Sequence, residues 1–290
     1  MIVCRTKAEL KEQLQNLRLA GKTIGFVPTM GYLHEGHASL LRRAKEENTA
    51  AVLSVFVNPM QFGPNEDLDR YPRDEERDLG LASQCGVDIV FMPSVSEMYP
   101  SAPLTAVVVH KVTEQLCGAS RPGHFDGVGL VVSKLLHLVN PNKAYFGMKD
   151  AQQVAVITQM VIDLDFPVEI VPCSIVREPD GLALSSRNVY LTPLQREQAV
   201  ILSQTLKLAD QWIKEPQLTV QSLVGRAQEH ILQASEAIID YVELLTFPEL
   251  TRLEDDIRVS EIEQPLILAC AVKFGSTRLI DNTILDKMEV

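Results

Sequence analysis

The chain has 290 residues, 46% of them hydrophobic, and a formal net charge of −11, so it can bury the core of one large domain or two modest ones. The acidic balance argues against wrapping of nucleic acid, and no apolar run reaches the roughly 20 residues of a membrane helix. The charged N-terminal stretch lacks a signal-peptide core and the five cysteines lack metal-binding or redox spacing, so we expect a cytoplasmic protein with reduced, buried thiols.

Strand-like and helix-like segments alternate in the first part of the chain. Short β-branched or apolar runs predict strands over residues 22–29, 50–58, 87–93, 143–147 and 168–176. Amphipathic or apolar stretches predict helices over residues 37–48, 74–85, 127–139 and 150–164. Alternation of strand and helix is typical of a mostly parallel sheet with right-handed crossovers, so we expect an α/β fold.

The pattern changes near residue 192. Thr192 is a candidate N-cap and Pro193 suits the first helical position. Helix-like sequence continues over residues 192–216 and 217–236, and three further runs predict antiparallel strands over residues 239–247, 265–275 and 277–285. We therefore predict two domains, residues 1–178 and a smaller α+β domain over residues 179–290.

Chemically distinctive stretches fall where the predicted strands end. They read PTMGYLHEGH (28–37), NPMQFGPNEDLDRYPR (58–73), FGMKDAQQ (146–153) and REPDGLALSSRN (177–188). In a parallel α/β sheet, ligands bind beyond the carboxyl ends of the strands. We therefore expect these stretches to converge at one edge of the sheet.

The pair His34 and His37 admits three interpretations. A zinc site is disfavoured, because a zincin motif spaces its histidines four apart on a helix, and no third ligand is obvious, His124 being the best candidate. A phosphate-facing pair is favoured, because the stretch joins a strand end to a helix start, where backbone N–H groups attract anions. Two solvated loop histidines remain the alternative if the stretch is considered alone.

Two other stretches support the phosphate interpretation. Ser185, Ser186 and Arg187 follow a turn-like segment and would suit the outer phosphates of a nucleotide, with the arginine supplying forked donors. Lys149 follows another predicted strand, although a lone lysine is more often a solvated surface charge.

These stretches also carry a family resemblance. PTMGYLHEGHASLL (28–41) resembles the HIGH-type signature of the nucleotidyltransferase superfamily, which includes class I aminoacyl-tRNA synthetases, and LALSSRN (182–188) resembles its second, KMSKS-type loop. Together with NPMQFGPNEDLDRYPR, RPGHFDGVGLVVSKLLHLVNPNKAYFGMKDAQQ and VPCSIVREPDGLALSSRNVYL, they resemble the pantothenate synthetase (pantoate–β-alanine ligase) family almost continuously from about residue 22 to residue 192.

The resemblance implies a Rossmann-like N-terminal domain, a smaller C-terminal lid domain and a homodimer. It also implies an AMP-forming ligase of pantothenate and coenzyme A biosynthesis. The carboxylate of (R)-pantoate would attack the α-phosphate of Mg-ATP to give pantoyl adenylate and pyrophosphate, and β-alanine would then expel AMP. ATP is the implied co-substrate, with Mg²⁺ held mainly through its phosphates and not by protein ligands. Neither nucleic acid nor a membrane is an implied partner.

The resemblance further implies roles at matching positions. The implied catalytic residues are His34, His37 (as proton donor), Lys149, Ser185, Ser186 and Arg187. The implied ATP-binding residues are Pro28, Thr29, Met30, Gly31, His34, Gly36, His37, Gly147, Lys149, Asp150, Val176, Leu184, Ser185, Ser186 and Arg187. Gln61 and Gln153 would orient pantoate, and Gln61 would also lie near β-alanine.

The chain departs from the family pattern at two places. Met148 stands where members commonly have Glu, and Gly129-Leu130 stands where many have Thr. The roles of three nearby residues stay open: Arg121 and His124 would belong to a mobile flap or cap the following helix, and Asn58 would support Gln61 or close a turn. We expect Trp212 to be a packing residue.

Two alternative functions compete with the ligase. A nucleotidyltransferase that keeps its adenylated product would need basic residues where pantoate lies, and the neutral Gln61 and Gln153 argue against it. An RNA-binding relative of tRNA synthetases is disfavoured by the acidic balance and by the lack of a basic appendage.

Overall fold

A parallel sheet occupies the first part of the computed structural model, which describes residues 1–64 and 66–285. Its strands are β1 (Ile2–Cys4), β2 (Ile24–Thr29), β3 (Ala50–Val55), β4 (Ile89–Phe91), β5 (Lys143–Gly147) and β6 (Glu169–Cys173). They lie in the order β1-β4-β3-β2-β5-β6, and all neighbours are parallel. The predicted mostly parallel sheet is thereby confirmed.

The chain leaves β2 toward β3 on one side, and β5 lies on the other side of β2. This is the topological switch point at which open α/β sheets bind ligands. Phe26 and Val27 of β2 are fully buried, as expected of strands that helices cover on both faces.

The helices in the first 180 residues account for the crossovers and for several shorter connections. They are α1 (Lys7–Leu19), α2 (Glu35–Glu47), α3 (Glu75–Gln84), α4 (Val95–Met98), α5 (Leu116–Ser120), α6 (His124–Val139) and α7 (Ala151–Asp163). Helix α1 was not predicted from the sequence, although it begins with a capping box in which the side chains of Thr6 and Glu9 each accept the backbone N–H of the other residue.

The remaining elements form the predicted C-terminal α+β part. They are α8 (Pro193–Gln198), α9 (Ile201–Trp212), α10 (Val220–Ile231), β7 (Ala237–Thr246), β8 (Leu266–Phe274) and β9 (Thr277–Leu285). The three strands make an antiparallel sheet in chain order. Thr192 caps α8 as predicted, but the single helix predicted over residues 192–216 is wrong. It divides at Ala199, whose carbonyl accepts the Leu202 N–H in a tighter i→i+3 turn.

Two compact units emerge from the contacts. The first comprises Met1–Val109, Arg121–Met148 and Val156–Val176. The second comprises His110–Ser120, Lys149–Ala155 and the chain from Arg177 through the last described residue. The domain limits of 1–178 and 179–290 stay a prediction.

Each unit has its own apolar core. In the first unit, Leu41, Leu53 and Val90 pack in a fully buried cluster between sheet and helices. In the second, Leu223 and Leu266 belong to a cluster that joins helices α9 and α10 to the antiparallel sheet. All five cysteines are buried and carry free thiols, as predicted, and no helix within residues 1–64 and 66–285 has the length and apolar character needed to cross a bilayer.

Candidate active site

The turn after β2 is shaped by its own polar groups. The Thr29 hydroxyl donates to the Ser54 carbonyl at 2.8 Å and accepts the Gly31 N–H at 3.2 Å. Gly31 (φ +85°) and Tyr32 (φ +50°) both adopt left-handed backbone conformations. The chain thereby reverses direction immediately beyond the strand, with Pro28 and Thr29 at the strand end and Met30 in the turn.

Asp78 of α3 stabilises this turn by accepting hydrogen bonds from its backbone. Its carboxylate is 2% exposed and accepts the N–H groups of Tyr32 at 2.9 Å and Leu33 at 2.6 Å. A Cβ at Gly31 would lie 2.9 Å from this carboxylate, so the position requires glycine. Burial raises the pKa of Asp78, while the N–H groups of Leu33 and Tyr32 act in the opposite direction. Nothing in the sequence pattern singled out this residue.

His34 and His37 cap helix α2 reciprocally. His34 is the N-cap: its Nδ1 accepts the Gly36 N–H at 3.2 Å, and the His34 N–H is donated to Nδ1 of His37 at 3.3 Å. A ring nitrogen that accepts carries no proton, so each neutral imidazole carries its proton on Nε2. The caps therefore present two Nε2–H donors at a helix N-terminus, where the helix dipole favours an anion.

The caps bear on the other two interpretations of this histidine pair. Both rings are partly buried and their centroids lie 4.1 Å apart, which differs from two solvated loop side chains. Among the residues that the structure describes, no group of three or more His, Cys, Asp and Glu side chains could hold a metal ion. The geometry therefore agrees best with the phosphate-facing interpretation.

Gln61 lies in a short helical turn beyond β3 and contacts the histidine-bearing turn. Its Nε2 donates to the Met30 sulfur at 3.2 Å, and its Oε1 accepts from Asn58 at 3.2 Å. Asn58 is 1% exposed, also donates to the Gly127 carbonyl, and accepts the Tyr99 hydroxyl at 2.9 Å. Burial raises the pKa of Tyr99 to about 12, so this phenol remains a donor at neutral pH. Asn58 also accepts the Met60 N–H, so it both supports Gln61 and closes the turn.

A second set of contacts holds the backbone of Gln61. Its carbonyl accepts Nδ1–H of His124 at 2.8 Å, and Nε2 of His124 lies 3.1 Å from the Arg121 guanidinium. Arg121 also forms a forked ion pair with Glu66 at 2.6 and 2.7 Å. Burial acts to raise the pKa of Glu66, but the hydrogen bond and charge of Arg121 outweigh it, so the pKa lies below the ordinary value.

The suggestion that Arg121 or His124 caps helix α6 is wrong. The N-cap is Gly123 in a left-handed conformation, and no side chain bonds the free N–H groups there. Both side chains turn instead to the Gln61 carbonyl. The alternative, that they belong to a mobile flap, stays a prediction.

The second unit carries Lys149, Asp150 and Gln153 on one short segment. It begins after Gly147 at the end of β5, passes through a helical turn over Met148–Asp150, and enters the first turn of α7. Lys149 and Gln153 are partly buried and Asp150 is exposed. Within the described residues, the Lys149 ammonium forms no ion pair.

The turn with Ser185, Ser186 and Arg187 also belongs to the second unit. Ser185 is the N-cap of a short helical turn, and its hydroxyl accepts the Arg187 N–H at 3.3 Å. Ser186 is 7% exposed, and Leu184 lies next to an antiparallel bridge between Arg177 and Ala183. Val176, the last implied ATP-binding residue, lies beyond β6 in the first unit.

The implied site residues thus form three local groups. The turn over residues 28–37, Gln61 and Gly147 stand at the ends of the neighbouring strands β2, β3 and β5, so convergence at one sheet edge holds for these stretches. Lys149 with Asp150 and Gln153, and Ser185 with Ser186 and Arg187, form the other two groups. Their individual roles stay predictions.

Comparison with known proteins identifies the family. A family model described as pantoate-beta-alanine ligase matches residues 2–284. The pantothenate synthetase of Caldicellulosiruptor bescii is 53% identical over 287 residues, covering 99% of both chains, and that of Acetivibrio thermocellus is 53% identical over 99% of this chain and 100% of its own.

Solved structures agree with these matches. The crystal structure of pantothenate synthetase from Thermus thermophilus superposes with a TM-score of 0.90 at 45% identity, covering 98% of this chain and 99% of its own. Pantoate-beta-alanine ligase from Francisella tularensis, complexed with beta-gamma ATP and beta-alanine, gives a TM-score of 0.79 at 34% identity, covering 98% and 97%. The chain belongs to the pantoate–β-alanine ligase family, as its sequence motifs predicted.

Proposed function

We propose that this chain condenses (R)-pantoate with β-alanine to form pantothenate, with cleavage of ATP to AMP and pyrophosphate through pantoyl adenylate. Family membership supports the reaction class, and the Francisella relative was solved with an ATP ligand and beta-alanine. The observation that carries the proposal for this chain is the reciprocal histidine cap, which places the imidazole proton on Nε2 of both rings at a helix N-terminus beside the sheet's switch point.

The first half-reaction joins two anions, so binding groups must align the reactants and offset their charge. We assign His34 and His37 to the phosphates, where Nε2–H groups donate to oxygens that gain negative charge. Lys149, Ser185, Ser186 and Arg187 are assigned to the phosphates from the second unit, and Asp150 to the ribose. Pro28, Thr29, Met30, Gly31, Gly36, Gly147, Val176 and Leu184 complete the proposed ATP-binding set.

Neutral amides are assigned to pantoate. Gln61 and Gln153 can bond its hydroxyl and carboxylate oxygens, and a site built this way rejects analogues that lack the hydroxyls. Asn58 orients the amide of Gln61, and Gln61 is also assigned to the neighbourhood of β-alanine.

Mg²⁺ fits this assignment as a companion of ATP. We assign the ion to the phosphate oxygens of ATP, where it would offset their charge. The Lys149 and Arg187 side chains and the histidine donors would also stabilise the negative charge of the phosphates.

Product analysis tests the proposed function. Purified protein is incubated with Mg-ATP, (R)-pantoate and β-alanine, and nucleotides and acids are separated by chromatography. We expect AMP and pantothenate in equal amounts, and only when all substrates are present. ADP, or an adenylated product that persists despite β-alanine, would contradict the ligase and favour a nucleotidyltransferase that keeps its product.

The resemblance also supports a cytoplasmic homodimer. Light scattering on the eluting peak of a sizing column should give twice the chain mass of 32.2 kDa. A peak at the single-chain mass would contradict the dimer and leave the proposed reaction untouched.

A further inference from the structure

Two buried polar residues on β9 have no part in the proposed chemistry. Asp281 is 3% exposed and Asn282 is 5% exposed. They are neighbours in the strand, and successive side chains of a strand point to opposite faces. Burial of polar groups is costly unless they are hydrogen-bonded, so the partners of these two side chains define what they contribute.

Asp281 anchors the segment that leads into the Ser185–Arg187 turn. Its carboxylate receives a forked pair of hydrogen bonds from Arg177 at 2.6 and 3.0 Å. Arg177 also donates to the Gly181 carbonyl, and its backbone pairs with that of Ala183. The stem of this turn is therefore tied to the strand by a nearly buried ion pair, with fixed geometry.

Asn282 holds the segment that carries Lys149. Its Nδ2 donates to the Lys149 carbonyl at 3.0 Å, while its own N–H is donated to Asp281 Oδ1 at 2.8 Å. The bond to Asp281 fixes the backbone from which Asn282 reaches Lys149. The two tethers thus share one short piece of strand.

The helical turn over Ser186–Tyr190 also packs directly on β9. The strand therefore contacts the Lys149 segment through Asn282, and it contacts the Ser185–Arg187 turn directly and through the ion pair of Asp281 with Arg177. Such groups act on a phosphate only when their positions are held, since a displacement of about 1 Å can lower a rate about a hundredfold.

We propose that Asp281 and Asn282 are positioning residues that hold Lys149 and the Ser185–Arg187 turn in one fixed arrangement for adenylate formation. The inference rests on the proposed function, which assigns these groups to the phosphates of ATP. In this proposal both residues act indirectly, through the groups that they hold in place.

A double-mutant cycle tests the Asn282 link. Pantoyl adenylate formation is measured in single turnovers for Asn282→Ala, Lys149→Ala and the double variant. Asn282→Ala should slow this step about tenfold, the equivalent of one ordinary hydrogen bond. Lys149→Ala should slow it further. The double variant should be no slower than Lys149→Ala, because Asn282 acts by positioning Lys149 and its loss has no further effect once the Lys149 side chain is removed.

A stability control separates positioning from damage to the fold. Thr205→Val removes a polar group from a different buried residue of the second unit, a hydroxyl that donates to the Ile201 carbonyl and lies 2.8 Å from Nδ1 of His230. It should lower the urea midpoint without slowing adenylate formation. If Asn282→Ala does not fold, Asn282→Ser, which keeps a short donor, replaces it in the cycle.

The same cycle with Asp281→Asn and Arg187→Ala tests the other link. Additive losses in either cycle, with Lys149→Ala or Arg187→Ala itself impaired, would overturn the positioning role of that strand residue and leave the proposed function intact. Unimpaired Lys149→Ala and Arg187→Ala would instead overturn the phosphate assignments, and the inference with them.

Discussion

The turn with His34 and His37 and the turn with Ser185, Ser186 and Arg187 are held in different ways. The histidine caps of the first turn close through bonds between residues two or three positions apart, and the Thr29 hydroxyl and the Asp78 carboxylate tie the same turn to more distant residues. The stem of the second depends on an ion pair between residues 104 positions apart. A turn held by local bonds is recognisable from its sequence, whereas a turn held by remote bonds is recognisable only after folding.

This contrast predicts how each turn responds to substitution. Loss of a histidine from the first turn should remove chemistry and leave the fold, because its caps are worth about 1 kcal/mol each. Loss of a tether from the second should disturb several groups together, because one strand holds them all.

The largest expected effect is on adenylate formation by His34→Ala or His37→Ala. Each removes a donor from the developing phosphate charge, and such donors are worth about a hundredfold or more in rate. Single-turnover assays should show that loss, with unchanged circular dichroism. His110→Ala, an exposed histidine outside the turn, is the matched control and should retain full activity. Turnover near the wild-type rate in both turn variants would refute their phosphate-facing role.

Asp78→Ala should destabilise the turn that carries His34 and His37. It leaves the buried N–H groups of Tyr32 and Leu33 without an acceptor, so the free energy of unfolding should fall by about 2 kcal/mol. Urea denaturation measures this loss, and the KM for ATP should rise with it. Asp78→Asn keeps one acceptor oxygen and should fall between Asp78→Ala and the wild type. A fully stable Asp78→Ala variant would show that the turn needs only its local bonds.

His124→Leu should act on pantoate more than on ATP. It removes the donor to the Gln61 carbonyl, so we expect the KM for pantoate to rise about fivefold, and the KM for ATP to change little. His124→Asn keeps a donor at the position of Nδ1 and is the conservative control, with a smaller rise. Equal changes in both KM values would show that His124 supports the unit as a whole and not Gln61.

The smallest expected effect is the pH dependence of the Glu66–Arg121 pair. Because the pKa of Glu66 is lowered in the folded protein, its stabilising contribution is present above the ordinary carboxyl pKa of about 4.3 and is lost as the pH falls through the lower folded value. Glu66→Gln should therefore cost at most about 1 kcal/mol near neutral pH, and this cost should shrink as the pH falls below the ordinary carboxyl pKa. Urea midpoints at several pH values measure the difference, and a difference that does not change with pH would contradict the ion-pair contribution.

Local patterns predicted most helices and strands correctly. The strand over Lys143–Gly147 agrees to the residue, and α3 and α7 agree within one residue at each end. Helix α1 was not predicted, although Thr6 and Glu9 form a capping box at its start. The division of the helix after Gln198 escaped because Ala199 and Val200 have no helix-breaking chemistry.

The residues that support the candidate site were harder to predict from the sequence. Asp78 lies in an acidic stretch and looks like any charged residue of an exposed helix, yet folding buries it beneath Tyr32 and Leu33. Asp281 and Asn282 are adjacent in the strand sequence TRLIDNTIL, and nothing in that pattern marks either residue as buried. Their roles depend on partners more than 100 positions away in the chain.

The sequence by itself determined the α/β class, the family and the histidine turn, because these depend on periodicity and on motifs whose bonds close within a few residues. Only the tertiary structure decided that Asp78 underlies that turn, that His124 and Arg121 hold Gln61, and that β9 ties Lys149 and the Ser185–Arg187 turn. Each of these depends on which distant polar groups burial leaves in need of a partner, and that is set by packing of the whole chain.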